Sequence, residues 1–272
     1  MRESETEREQ AEKYLPRLRY DRAEPYSPEA IGYTVYRADI ARPAKIRSAA
    51  DETRSAHTAD TIFRSPSCRL QLEPEPGETV IEYAYYYDFD IQHLYDLEHV
   101  FIKLDDKGKV NGILGSFHGK FLNNYIEGET EFEGTHVILY VQPGKHAFMP
   151  KPHYFQLFPH RDICCGEYAG RDGLLIAPMF AGRLSTDEAF DRKAERYIRE
   201  NHAFVPTWEF TDRESDGRDI LMPWTELDGL IVKRITEWKH KIAESLSDGN
   251  RSDNRNDNRN DNRNDDRNGG CI

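Results

Sequence analysis

The segment Thr79–Asp90, TVIEYAYYYDFD, limits the fold of this chain more than any other stretch. β-Branched and aromatic residues dominate it, and apolar side chains fill both parities. Successive side chains of a strand point to opposite faces, so such a strand must be covered on both sides. It predicts a core strand. LEHVFIKL follows, then Asp105-Asp106-Lys107-Gly108, then KVNGILGSFHG, which together predict a β-hairpin across a Gly-containing turn. THVILYV, closed by Gln142-Pro143-Gly144, supplies another strand, and HYFQLF reads as one more. Helical periodicity emerges only late. Ser185-Thr186-Asp187-Glu188 has capping-box spacing, with Phe190, Ala194, Tyr197 and Ile198 on one face of a helix ending near Asn201. A second helix, from about Thr225 to Ser247, carries Leu227, Leu230, Ile231, Ile235, Trp238 and Ile242 at helical spacing. The fold class expected is mainly β (α+β), a β-sheet core with flanking C-terminal helices.

Residues 1–70 are rich in Arg, Glu, Pro and Ala, and Pro16, Pro25, Pro28, Pro43 and Pro66 interrupt any long helix. They are expected to wrap the same domain as extended chain and short strands. Residues 71–248 are expected to form the β-sheet core and its helices. Residues 249–272, GNRSDNRNDNRNDNRNDDRNGGCI, repeat Asp, Asn and Arg without an apolar face, which predicts a disordered tail. Its five Arg and five Asp cancel, so the net charge of −12, from 37 Lys+Arg against 49 Asp+Glu, belongs to the rest of the chain. That field repels polyphosphate and anionic membrane, so no nucleic-acid partner is expected. No apolar run approaches the roughly 20 residues of a membrane-spanning helix. The charged amino terminus lacks the apolar stretch of an export signal, and a cytoplasmic location is expected. Cys68, Cys164, Cys165 and Cys271 form no CxxC pair and are expected as free thiols. Nothing in the sequence decides the oligomeric state.

Nucleotide-binding glycine loops, HExxH and GxSxG are all missing from the sequence. What stands out is a concentration of ionisable residues: His93, Asp96, Glu98 and His99 lie within seven positions, and His118 and His146 follow at later strand ends. In an extended segment Asp96 and Glu98 share a face with Val100, Ile102 and Leu104, whereas His99 shares the other with Leu97 and Phe101. Two carboxylates thus point where apolar residues point. Burying them costs several kcal/mol unless a cation, an Arg or protons compensate. A divalent metal held by His93, Asp96 and Glu98, with His118 or His146 nearby, meets that need. Alternatively, the carboxylates sit at a sheet rim in water or pair with Arg. His99 reads as a hydrogen-bonded structural histidine. A Ser116-His118-Asp96 triad is disfavoured because residues two apart on a strand are separated by about 6.5–7 Å. A zinc site of His160, Cys164 and Cys165 lacks an evident fourth ligand.

The run His93-Leu94-Tyr95-Asp96-Leu97-Glu98-His99-Val100, then Ser116-Phe117-His118-Gly119, then Gly144-Lys145-His146-Ala147-Phe148, resembles the necrosis- and ethylene-inducing-peptide-like proteins. It is also similar to a related family of vacuolar protein sorting-associated proteins. The signature of the former is Gly-His-Arg-His-Asp-Trp-Glu, followed by a Ser-x-His-Gly and a His-Ala-Phe segment. The likeness covers roughly residues 79–150. It implies a β-sandwich holding a divalent cation in an acidic cavity that recognises a sphingolipid sugar headgroup, with His93, Asp96 and Glu98 at the first His, the Asp and the last Glu. Gln92, Tyr95 and Leu97 depart from the Gly, second His and Trp of that signature, and neither the secretion signal nor the disulfide of the family is expected here.

The leading expectation is a metal-supported acidic cavity that binds a polar, sugar- or phosphate-bearing small molecule. An oxygen-rich ligand set favours Mg²⁺ or Ca²⁺, whereas more histidine shifts the preference towards Zn²⁺, Mn²⁺ or Fe²⁺. The same residues also serve a metal-dependent hydrolase or lyase in which His118 or His146 moves protons. A third reading leaves the histidines purely structural.

Overall fold

A computed structural model describes residues 6–38, 62–158, 161, 163–213 and 215–245. In chain order the elements are α1 (Glu7–Tyr14), β1 (Arg17–Asp21), β2 (Ala30–Arg37), β3 (Phe63–Arg64), β4 (Gln71–Leu72), β5 (Thr79–Phe89), β6 (Leu94–Leu104) and β7 (Val110–Phe117). There follow β8 (Lys120–Asn123), β9 (Glu131–Glu133), β10 (His136–Val141), β11 (Phe148–Met149), α2 (Glu188–His202), β12 (Phe210–Asp212), β13 (Leu221–Pro223) and α3 (Trp224–Ser245). A six-stranded sheet runs β13-β2-β5-β6-β7-β8, and a smaller one runs β11-β10-β1-β12 with β9 also on β10. The architecture is an α+β β-sandwich with C-terminal helices.

All eleven residues of β5 are buried, as its two apolar parities require. Tyr83, Tyr85 and Tyr87 face the smaller sheet, and Tyr85 meets Phe148 of β11 at 5.3 Å between ring centroids. Cross-strand pairing sets Tyr85 opposite Glu98 and Tyr87 opposite Asp96, so both carboxylates enter the space between the sheets. On the outer face, α3 covers one part. A Cβ on Gly32 of β2 would stand 2.7 Å from Leu227, so glycine lets the helix approach. Arg234 of α3 fastens to Asp88 at 2.8 and 2.5 Å. The β3–β4 hairpin covers the other part, with Phe63, Val80 and Phe101 forming a separate small core.

Several expectations need correction. The N-terminal segment starts with a helix, α1, capped by a reciprocal Thr6–Glu9 box whose S/T-x-x-E spacing was legible in the sequence. Rather than merely wrapping the core, β2 pairs with β5 over eight residues, and β1 lies between β10 and β12. HYFQLF is not a strand: Pro152, with its fixed φ, opens a 3-10 helix at Pro152–Leu157 that buries only Phe155 and leaves Leu157 75% exposed. The N-cap of α2 is Asp187, which accepts from the Phe190 N–H at 2.8 Å, so the box spacing from Ser185 is not used. Trp238 is half-buried against Phe89, while Ile235 is fully buried. The 249–272 repeat lies outside the described residues. Among the described residues, no helix is long and apolar enough to cross a membrane. Cys68 and Cys165 are free thiols, whereas Cys164 is disulfide-bonded, contrary to expectation.

Candidate functional site

Three turns at one end of the sandwich assemble the site. After β5, Asp90 caps its own turn: the Gln92 N–H donates to Asp90 Oδ1 at 2.6 Å, and the Asp90 N–H donates to the His93 carbonyl. His118 and Gly119, with φ of 48° and 75°, form the two-residue turn between β7 and β8, the twist that matches a hairpin. Between β10 and β11, residues 142–147 fold back on themselves, and the Ile91 N–H donates to the Gly144 carbonyl at 2.7 Å, locking the first turn to the third. Gly144 has φ 65°, and a Cβ there would lie 2.8 Å from Ile91. Of the four non-glycine residues at positive φ among the described residues, Tyr95, His118 and His146 all belong to this region. Backbone strain of that kind concentrates where a function holds it.

The turns enclose a cavity of about 740 Å³ whose lining includes Asp90, His93, Asp96, Glu98, His118 and Lys145, with Phe117, Leu122 and Phe158 as apolar wall. Asp96 and Glu98 are buried, not at a rim in water, and among the described residues neither pairs with Arg. Asp96 accepts from the Leu97 N–H at 2.8 Å and engages His146 Nδ1 at 3.0 Å. Glu98 accepts from the Ser116 hydroxyl, which itself accepts from the His99 N–H at 2.6 Å. Burial, reinforced by the charge of Asp96, holds the Glu98 carboxyl well above the usual carboxylate range, against the opposing Ser116 bond. Asp90 lies 2.8 Å from the Lys145 ammonium. Burial alone would raise Asp90, but Lys145, His93 and His146 outweigh it and hold the group below its ordinary value. Burial would lower Lys145, and Asp90 keeps it above its ordinary value.

The histidines divide into different roles. His93 Nδ1 lies 2.8 Å from the Tyr95 carbonyl, and since a carbonyl only accepts, Nδ1 carries the proton. Its Nε2 faces Asp90, 3.8 Å away, too far for a hydrogen bond, and in the neutral ring this nitrogen carries the lone pair. Two ligands of one ion, each at about 2.0–2.6 Å from it, stand about this far apart. His118 Nε2 lies 3.0 Å from the Gln142 amide oxygen, which leaves its Nδ1 as the lone-pair nitrogen at the cavity. Burial and then Lys145 lower its pKa to about 4, so the ring is neutral. His146 is fully buried behind Asp96, stacked on Tyr87 at 3.8 Å and 5°. Burial disfavours its charge, but Asp96 and Glu24 prevail and raise its pKa to about 9. It is a buried imidazolium, outside the cavity lining. His99 points to the outer face, 2.8 Å from Ser67, and serves there as a bonded histidine. Ser116 bonds Glu98 and His118 bonds Gln142, so no Ser116-His118-Asp96 triad is assembled. Of the zinc alternative, His160 lies outside the described residues, and Cys165 donates to the Pro143 carbonyl.

Sequence reasoning missed Asp90, Lys145 and Glu24. Asp90 stands one residue beyond the core strand, and Lys145 precedes His146. Asp90 was legible as a charge between Phe89 and Ile91. Glu24, whose Oε2 accepts from the Gly144 N–H at 2.6 Å, comes from a distant segment and left no local signal. Two cationic side chains, Lys145 and His146, thus face four buried carboxyl groups, Glu24, Asp90, Asp96 and Glu98. Glu24 lies 3.8 Å from His146 Nε2, and Glu98 is the one of the four with no cation within 4 Å among the described residues. Among the described residues, atoms of Asp90, Asp96 and His146 lie within 4.8 Å of one another, but His146 is already committed to Asp96. That leaves Asp90 and Asp96 as the carboxylates of the group whose oxygens remain close together, while Glu98 and His93 line the same cavity outside that 4.8 Å cluster.

No family model matches the sequence, and no curated protein matches it. Among solved structures, the chain is similar to Necrosis and Ethylene inducing Protein 2 from the causal agent of cocoa's witches' broom disease, at 23% identity over 54% of this chain and 70% of that one, with a TM-score of 0.30. NLPPya in complex with glucosamine is similar at 15% identity over 51% of this chain and 63% of that one, TM-score 0.30. A structure described as a toxin fold for microbial attack and plant defense is similar at 14% identity over 52% and 67% of the two chains, TM-score 0.30.

Proposed function

We propose that the cavity binds a divalent cation and, through it, a polar small molecule bearing a sugar or a phosphate. The observation that carries this reading is the imbalance of charge: four buried carboxyl groups face two cations, and Glu98 is driven toward its neutral form. A divalent ion supplies the two missing charges. Asp90, Asp96, Glu98 and His93 Nε2 would hold it, and when bound it offers Lewis acidity to hydroxyl or phosphoryl oxygens entering the cavity. Three carboxylates with one imidazole favour Mg²⁺ or Ca²⁺, with Mn²⁺, Zn²⁺ and Fe²⁺ as competitors. Calorimetric titration of the metal-free chain with Mg²⁺ or Ca²⁺, then with glucosamine and a sugar phosphate, tests the reading. Sugar uptake should require the metal and vanish in Asp96→Asn, while Cys68→Ser on the outer face keeps it. Metal-independent uptake, or none with any cation, overturns it.

A second reading, metal-dependent hydrolysis or elimination, is favoured by the neutral His118 ring with its lone pair at the cavity. His146, buried and cationic, does not serve as its base. Turnover beyond one equivalent of ligand, lost in His118→Gln, would separate an enzyme from a binder.

A further inference from the structure

The outer face of the six-stranded sheet carries a second group of chemically active side chains, remote in role from the acidic cavity. Glu82 of β5 and His99 of β6 point outward, and the loop of the β3–β4 hairpin sets Ser65, Ser67 and Cys68 over them. One ligand atom each from Cys68, Glu82 and His99 lie within 4.8 Å of one another. Ser65 donates to Glu82 Oε1 at 2.6 Å, and the Ser67 hydroxyl also donates to that oxygen. Cys68 is a free thiol whose sulfur lies 3.1 Å from Ser65 Oγ.

Glu82 is 1% exposed, and its Oε2 is buried without any hydrogen-bond partner. Neither protonation state satisfies it. Ionised, the carboxylate holds a buried negative charge with no cation against it among the described residues. Protonated on Oε1, the group can donate to Ser65 or Ser67, but Oε2 is still a buried oxygen that no donor reaches. A buried orphan oxygen beside a thiol and an imidazole is the vacancy that a soft-to-borderline metal fills.

We infer that Cys68, Glu82 and His99 form a transition-metal site of the Zn²⁺ class on the outer face of the sheet. The thiolate and the carboxylate neutralise a divalent ion, and sulfur with imidazole selects Zn²⁺ over Mg²⁺ or Ca²⁺. Three side chains leave a fourth tetrahedral position for water or a serine hydroxyl. The site staples the β3–β4 hairpin to the two central strands. It stands apart from the proposed cavity metal, because its ligands occupy the opposite face of β6.

Cobalt(II) tests this on the full chain, since a Co–thiolate bond gives a near-ultraviolet charge-transfer band that oxygen and nitrogen ligands do not. The metal-free protein should develop that band, saturating at one equivalent, and Zn²⁺ should displace it. Asp96→Asn and Cys165→Ser should keep the band, which separates this site from the cavity and from the other free thiol. Cys68→Ser should lose it, and Glu82→Gln, which preserves shape, should raise the half-saturating Co²⁺ by about tenfold or more. If Cys68→Ser fails to fold by circular dichroism, alkylation of wild type decides: Zn²⁺ should protect Cys68. No band in wild type, a band that survives in a folded Cys68→Ser, or a thiol unprotected by Zn²⁺ overturns the site.

Discussion

Replacing His146 by Asn tests whether this buried ring is an imidazolium fastening the turn to β6. His146 has φ 55°, a conformation that Asn tolerates better than most residues, so the backbone should persist while the charge is lost. In the folded chain Asp96 and Glu24 hold the ring at a pKa of about 9, against 6.5 ordinarily. Between those values the folded state binds more protons than the unfolded state, and stability must fall as pH rises. The contribution is complete below about pH 6.5 and is lost as pH climbs through about 9. At about 1.36 kcal/mol per pH unit the interval is worth about 3 kcal/mol. Urea denaturation of wild type and His146→Asn, in chelator and at fixed ionic strength, gives the difference in stability from about pH 6 to pH 10. Groups shared by both proteins, such as Glu82 with its raised pKa, largely cancel in that difference. The advantage of wild type should shrink by about 3 kcal/mol across the window. A flat difference would show that the ring is neutral and that Asp96 is compensated in another way.

Saturating Mg²⁺ or Ca²⁺ at a hundredfold excess over Kd should add about 2.7 kcal/mol of stability to wild type and nothing to Asp96→Asn, read as chelator-sensitive melting. If no cation binds, Asp96→Asn loses only the His146 bond and chelator has no effect on either protein. Ile235→Ala should cost about 3 kcal/mol because the side chain is fully buried, whereas the half-buried Trp238→Ala should cost less than the roughly 3–5 kcal/mol of a buried aromatic truncation; equal losses in denaturant titrations would show that the ring carries the helix contact. Gly144→Ala forces a Cβ into Ile91 at positive φ and should destabilise the chain by about 2 kcal/mol or more while weakening cation uptake, and a neutral outcome in both assays would refute the fit of that turn.

Local chemistry alone settled a good part of this protein. The filled parities of Thr79–Asp90 demanded a strand covered on both faces, and both covers are present, the smaller sheet inside and α3 with the β3–β4 hairpin outside. Strand alternation likewise sent Asp96 and Glu98 inward and His99 outward, because side-chain direction along a strand depends only on position. Periodicity found α2 and α3 to within a residue or two at each end. By contrast, α1 escaped because a helix of eight residues with few apolar positions offers little periodicity, and its cap was the only signal. The partnership of Lys145 with Asp90 and the placing of Glu24 against His146 depend on contacts between segments 55 and about 120 residues apart. No window of sequence contains such contacts. The electrostatics of the site followed them: burial pushes Glu98 upward and would lower Lys145 and His146, and the carboxyl groups set around those two cations hold them above their ordinary values. Sequence determines which way a side chain points along its own strand; which charges it meets there is decided by the register and packing of chain that lies far away.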